Sequence, residues 1–275
     1  MTTLDQIGYW TEIKLDIIRE YAKAYSTILA TRKNRSFYHV YIDGFAGAGL
    51  HTSRTTGEFI AGSPLNALLV FPPFRKYYFI DLDKKKVKAL KEIAQEREDV
   101  HVYYGDCNDV LLSQVFPRVR YQDYRRGLCI LDPYGLHLDW KVVETAGRMR
   151  SIELFLSLPI GDISRRVLRR GLARVPRSQL ERLDRYWGDT SWQEIAYEDA
   201  GTLFDSEKEK QASAAIVREY RARLKDVAGF RYVPHPIPMR NTKGAVIYYL
   251  FFASNKPLDE KTVKDIFDKY RNRGS

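Results

Sequence analysis

Two rhythms of apolar residues alternate along this 275-residue chain. The first repeats every three to four residues. Over residues 10–31 it sets Ile13, Ile17, Tyr21, Ala24 and Ile28 on one stripe, widened by Ile18, Tyr25 and Leu29, which predicts an amphipathic helix. The same step recurs over 84–96 through Val87, Leu90, Ile93 and Ala94. It returns behind Ser206 through Ala212, Ile216, Tyr220 and Leu224, and again over 259–270. The second rhythm consists of short β-branched and aromatic runs at 37–42, 76–80, 100–104, 127–131 and 152–158, which predict strands. The run 127–131 is apolar throughout, the mark of a parallel strand covered on both faces. Strands that alternate with helices predict an α/β fold around a mostly parallel sheet. Near the end, runs at 230–233 and 245–253 flank a loop at 239–244 and predict an antiparallel pair.

Local signals mark the boundaries. Arg32, Lys33 and Arg35 close the first helix, where they complement its dipole or meet a phosphate. The polar stretch 50–60 predicts a mobile loop. Ser63 before Pro64 predicts an N-cap for a helix over 65–70, whose free N–H groups need no ligand but would suit a carboxylate. A helix of about ten residues is expected after Asn108. Ser206 with Glu209 forms a capping box, and Gly229 stops the helix that follows.

Candidate chemistry gathers where the strands end. The first runs into Asp43-Gly44-Phe45-Ala46-Gly47-Ala48-Gly49, the second into Asp81-Leu82-Asp83, the third into Gly105-Asp106-Cys107-Asn108 and the fourth into Asp132-Pro133-Tyr134-Gly135. Gly47 and Gly49 allow backbone to approach a ligand closely. In an open parallel sheet these ends line one crevice, so Asp43, Asp81, Asp106 and Asp132 face a common ligand of nucleoside type. Asp81 stands where a ribose diol is gripped. With four acids and no Gly-Lys-Ser/Thr phosphate lysine, the site disfavours a triphosphate. A cofactor carrying a free diol and an ammonium suits it, which points to S-adenosylmethionine. The Lys84-Lys85-Lys86 run reads as a solvated face.

Charge adds a second expectation. The net charge is +10, which favours a polyanionic partner over the alternative of a basic enzyme with a solvated surface. Between residues 165 and 185 there are eight arginines and two acids. Arg165, Arg166, Arg169, Arg170, Arg174 and Arg177 read as a nucleic-acid surface, with a merely solvated face as the plainer alternative. The chain holds nineteen tyrosines; tyrosines among arginines suit base stacking, while many are expected in the core. Cys107 and Cys129 read as reduced thiols, in neither a disulfide nor a metal site, and no metal-ligating cluster is expected. The first eight residues carry no signal sequence, and the run 245–253 is about half of a membrane span, so a cytoplasmic protein is expected. Three segments follow from these patterns. Residues 1–160 hold the first helix and a Rossmann-like cofactor core, 161–229 an arginine-rich helical insertion, and 230–275 a β-hairpin and helix that complete the core.

The strand-end loop, Gly62-Ser63-Pro64-Leu65, Phe79-Ile80-Asp81, Leu131-Asp132-Pro133-Tyr134-Gly135 and Tyr248-Tyr249-Leu250-Phe251-Phe252-Ala253 together resemble the three-Cys-motif partner family. That resemblance covers most of the chain. It implies a class I S-adenosylmethionine-dependent methyltransferase fold, a seven-stranded sheet with its last strand antiparallel, and a three-cysteine protein as partner. It also implies that Asp43, Gly44, Phe45, Ala46, Gly47, Gly49 and Ser63 hold the methionine part of the cofactor. Asp81 would bind the ribose, and Asp106 the adenine amine with Cys107 beside it. The loop and Gly-Ser-Pro-Leu also resemble a ribosomal RNA adenine methyltransferase family, which has Asp-Pro-Pro-Tyr at the fourth strand end. Asp-Pro-aromatic-Gly is similar to transfer RNA guanine amine methyltransferases. By these likenesses Asp132 and the Pro133 carbonyl would accept hydrogen bonds from an exocyclic amine. Tyr134 would stack on the base, and Gly135 marks the departure from the second proline. A non-catalytic nucleic-acid-binding subunit and a small-molecule methyltransferase are the alternatives.

Overall fold

The computed structural model describes residues 5–31, 37–95, 97–168, 172–197, 206–256 and 260–271. In chain order the elements are β1 (Asp5–Ile7), α1 (Tyr9–Thr31), β2 (Tyr38–Asp43), β3 (Leu50–Ser53), β4 (Phe59–Ala61), α2 (Ser63–Leu68), β5 (Lys76–Asp81), α3 (Lys84–Ala94), β6 (Val100–Tyr104) and α4 (Cys107–Val110). Then come β7 (Arg125–Leu131), α5 (Trp140–Met149), β8 (Ile152–Leu158), α6 (Ile160–Arg166), α7 (Arg177–Trp187), α8 (Trp192–Tyr197), α9 (Ser206–Asp226), β9 (Ile237–Arg240), β10 (Val246–Ala253) and α10 (Glu260–Arg271).

The main sheet has seven strands in the order β6-β5-β2-β7-β8-β10-β9. The first five pair in parallel, while β10 runs antiparallel between β8 and β9. The period-two geometry of a strand sends alternate residues to opposite faces. Val40, Ile42, Cys129 and Leu131 therefore enter one apolar cluster with α5, α7 and α9, and Tyr41, Leu128 and Ile130 enter another with α1, α2 and α10. Such two-sided burial is what keeps β2 and β7 central. The helices within 161–229 share the first cluster. Trp187, Trp192 and Tyr220 are fully buried, each burial worth about 2–3 kcal/mol.

Several local expectations are corrected. Residues 50–60 are not a loop, because β3 and β4 pair antiparallel and β1 adds in parallel, making a second, three-stranded sheet. The hairpin partner of β10 is Ile237–Arg240, and residues 230–233 contribute only a bridge from Tyr232 to Ser254. Pro238 is tolerated there because β9 is an edge strand, where no ladder N–H is needed on its outer side. The ten-residue helix after Asn108 is broken. Four residues of α4 pass into a π-helical turn, Leu111–Val115, and a 3-10 turn, Phe116–Arg118, because Pro117 has no N–H to continue an α-helix. Residues 32–35, 96 and 259, to which the helix-end expectations refer, lie outside the described residues. Among the described residues no helix is long and apolar enough to cross a membrane.

One close approach holds the helical layer to the sheet. A Cβ built on Gly147 of α5 would lie 2.0 Å from the Ala228 carbonyl oxygen, and Asn255 Nδ2 donates to the Gly147 oxygen at 2.6 Å. Gly147→Ala should therefore lower stability by about 1–3 kcal/mol in urea denaturation, because backbone must move apart. An unchanged midpoint would contradict this packing.

Candidate active site

The four predicted strand-end acids reach very different settings. Asp43 closes β2 at 1% exposure. Its Oδ2 accepts from Ser63 Oγ at 2.5 Å and its Oδ1 from the Phe45 amide at 3.2 Å. Ser63 is thus not the N-cap of α2. Gly62 holds that position, and the Ser63 hydroxyl, engaged by Asp43, caps nothing. Burial pushes the Asp43 carboxyl up to about 7; the two hydrogen bonds oppose this, and the charges of Asp132 and Asp81 add to it.

The loop behind Asp43 is pinned to the two strands that flank β2, β7 and β5. Gly44 donates to the Ile130 carbonyl at 3.0 Å, Ala46 to that of Ile80 at 3.0 Å, and Gly47 to Asp81 Oδ2 at 2.8 Å. Gly47 has φ +67°, and a Cβ there would meet only His51, at 3.8 Å. Gly44 is different. Its Cβ would strike Cys107 Sγ and Leu131 at 2.8 Å, so this glycine serves packing against the core. Cys107 is buried behind the loop, and burial pushes its thiol well above the ordinary range.

Asp81 spans the loop and the start of α3: its other oxygen accepts from the Asp83 amide at 2.8 Å, and Asp83 caps α3 through the Lys85 amide at 2.7 Å. Asp106 is exposed and caps α4, accepting from the Asn108 amide at 2.8 Å. Leu82 and Tyr104, next to these two acids, are both exposed.

Asp132 forms an ion pair with Lys14, which α1 carries in from the opposite side. Burial opposes the charge on Lys14, but the Asp132 carboxylate outweighs it with help from Tyr248, and the ammonium is held above the usual lysine range. Lys14 also lies over the Tyr248 ring, 5.1 Å from its centroid. Beside this pair, Tyr134 is 65% exposed. Lys86 sits 5.1 Å from the centre of its ring, and its ammonium donates to Asp5 of β1 at 2.7 Å. Lys86 is therefore no part of a solvated face.

Phe45, Ala46, Gly47, Ser63, Asp132, Pro133, Tyr134 and Gly135 all line one cavity of about 1020 Å³, roofed by β1 and the start of α1. Asp43, Gly44, Gly49, Asp81, Asp106 and Cys107 are not among its lining residues. Lys14, Lys86 and Asp5 are contributors that motif reasoning passed over. Lys14 had a visible signal, a lysine between Ile13 and Ile17 on the buried face of α1. The arginine set is not gathered at this cavity. Arg165 pairs with Asp162 on its edge at 2.6 Å and Arg177 pairs with Glu181 at 2.9 Å. Arg166 and Arg174 are exposed, and Arg169 and Arg170 lie outside the described residues. Arg54 and Arg240 are the arginines that line the cavity.

This sheet order, with a glycine loop after the central first strand and acids at successive strand ends, defines the Rossmann-like class I methyltransferase fold. No family model and no curated protein matches the sequence. Protein LPL1258 of Legionella pneumophila, of the DUF519 family model, is similar in structure at 12% identity and TM-score 0.50, over 95% of this chain and 94% of that one. A candidate methyltransferase from Thermobifida fusca follows at 13% identity and TM-score 0.45, over 89% and 79%. Aeropyrum pernix fibrillarin, crystallised with natively bound S-adenosyl-L-methionine, has 10% identity and TM-score 0.36, over 89% and 76%. The first of these likenesses is one of fold.

The Asp43 carboxyl gives the site a pH signature. Its folded-state value is raised, so its contribution to stability is fully present below about pH 4 and is lost as pH rises through about 7. Asp43→Asn should flatten that fall, by up to about 4 kcal/mol between pH 4 and 8, in denaturation of the unliganded protein. Parallel pH profiles for the two proteins would contradict it.

Proposed function

We propose that the chain is an S-adenosylmethionine-dependent methyltransferase acting on an exocyclic amine of a base in RNA or DNA. The observation that carries this reading is the shared cavity: the loop at Phe45–Gly47 and the Asp132-Pro133-Tyr134-Gly135 turn open into the same space. The donor set fits the cofactor. Asp43 is a buried carboxyl with no cationic partner among the described residues, so an arriving ammonium would favour its ionised form. Asp43, Ser63 and the loop would hold the amino-acid end, Asp81 the ribose hydroxyls and Asp106 the adenine amine. When bound, the cofactor supplies an electrophilic methyl on a sulfonium.

The chain's own residues then act by orientation. Lys14 pairs with Asp132 and leaves its carboxylate oxygens as acceptors at the cavity. Asp132 and the Pro133 carbonyl accept the two N–H bonds of an exocyclic amine and so aim the nitrogen lone pair. The proton lost from nitrogen as the methyl arrives passes to the Asp132 carboxylate or to water beyond it. Tyr134 offers an open ring face for the base, held in place by Lys86 and Asp5. The net charge of +10 and the cavity-lining Arg54 and Arg240 support a nucleic-acid substrate, with the exposed Arg166 and Arg174 as further phosphate contacts.

Asp132→Asn keeps the side-chain shape and an oxygen facing Lys14. It should cut methyl transfer from radiolabelled S-adenosylmethionine into RNA or DNA by about a hundredfold or more, while cofactor affinity is kept. Undiminished incorporation would remove Asp132 from this role.

A further inference from the structure

A second hollow, of about 520 Å³, lies at the other end of the sheet. Arg126 near the start of β7, Ile152 and Glu153 at the start of β8, and Ser254 just past β10 line it. The cavity described above opens at the opposite strand ends, so the two are separate. Its walls include Phe37, Tyr121 and Tyr124, with Tyr121 and Tyr124 at 48% and 44% exposure. The Arg126 guanidinium lies 3.8 Å from the centre of the Tyr121 ring and 5.2 Å from that of Phe37. Arg150 and Lys256, both exposed, add charge.

The floor is polar and buried. Glu153 is 6% exposed and accepts from the Tyr21 hydroxyl. Tyr25 also lines the hollow, and its hydroxyl is buried and makes no hydrogen bond among the described residues. A buried hydroxyl left without a partner is costly, and one aimed into a hollow calls for a polar ligand group.

Aromatic walls, buried hydrogen-bonding groups on the floor and cations at the mouth are the three components that recognise a base and its phosphate. We infer that this hollow binds a nucleotide unit. The base lies against the Tyr121 and Tyr124 rings with its polar edge toward Tyr25 and Glu153, and the phosphate meets Arg150 and Lys256. The nucleotide is either free or one unit of a strand, and in the second case the hollow is an anchor remote from the proposed methyl-transfer site.

The test titrates the full chain with each of the four nucleoside 5′-monophosphates and, separately, with fluorescein-labelled single-stranded oligonucleotides of RNA and DNA. Three variants are compared. Tyr121→Ala removes an exposed ring. Arg150→Gly removes a cation where φ is +57°, a conformation that suits glycine. Tyr25→Phe deletes the unpartnered hydroxyl. The expected result is binding of a monophosphate or an oligonucleotide that weakens by about tenfold in Tyr121→Ala and in Arg150→Gly. Tyr25→Phe should weaken binding while raising the melting temperature of the free protein. Monophosphate binding identifies a free nucleotide as ligand; oligonucleotide binding alone identifies a strand. If neither probe binds, or all three variants bind like the wild type, the inference is overturned. S-adenosylmethionine affinity, measured in the same proteins, should be unchanged by these variants, which separates failure here from failure of the methyltransferase reading.

Discussion

A carboxyl group held inside the sheet, with no cationic partner among the described residues, is the constraint on which the site depends. Packing on both faces makes β2 a central strand, and its last residue is carried into the core with it. An unpaired carboxylate there is expensive. The chain answers with the Ser63 hydroxyl and the Phe45 amide and by raising the proton affinity of Asp43. Those two hydrogen bonds also fix the path of the glycine loop and the start of α2. The cost that remains is what a cationic ligand would relieve, so the same burial prepares the protein to bind one.

A second electrostatic joint sets the other wall. Lys14 arrives from α1 and Asp132 from the end of β7, and the two pair at the cavity. The pair is half-buried, with Lys14 inside and Asp132 partly exposed, so removing Asp132 would leave the buried Lys14 charge uncompensated. The Asp5–Lys86 pair repeats the arrangement at the cavity mouth, where β1 folds over the site and Lys86 rests against Tyr134. Both joints link residues more than eighty positions apart. The cavity is therefore a property of the whole fold.

Much of this architecture was legible in the sequence, where periodicity was strong. The strands at 100–104 and 152–158 and the first helix follow from alternation and from the three-to-four-residue step. That the acids stand at successive strand ends was legible too, but of the four only Asp132 lines the cavity. Other features depend on long-range contacts that no local pattern encodes. Leu50–Ser53 and Phe59–Ala61 are strands in a small sheet that β1 completes from more than forty residues away, and Ile237–Arg240 pairs despite Pro238 because it is an edge. Ser63 carries the local signature of a cap, yet the buried carboxylate twenty residues away claims its hydroxyl. Lys14 and Lys86 look like ordinary charges on helices until their acidic partners are brought to them.

The central claim is that the buried acid and the glycine loop form a cofactor site. Isothermal titration of the chain with S-adenosylmethionine tests it most directly, alongside Asp43→Asn and Asp81→Ala. The account predicts saturable binding of one equivalent, weakened by about tenfold or more in each variant, as the loss of a charge-assisted hydrogen bond requires. Absence of saturable binding to the wild type, or equal affinity in all three proteins, would contradict it.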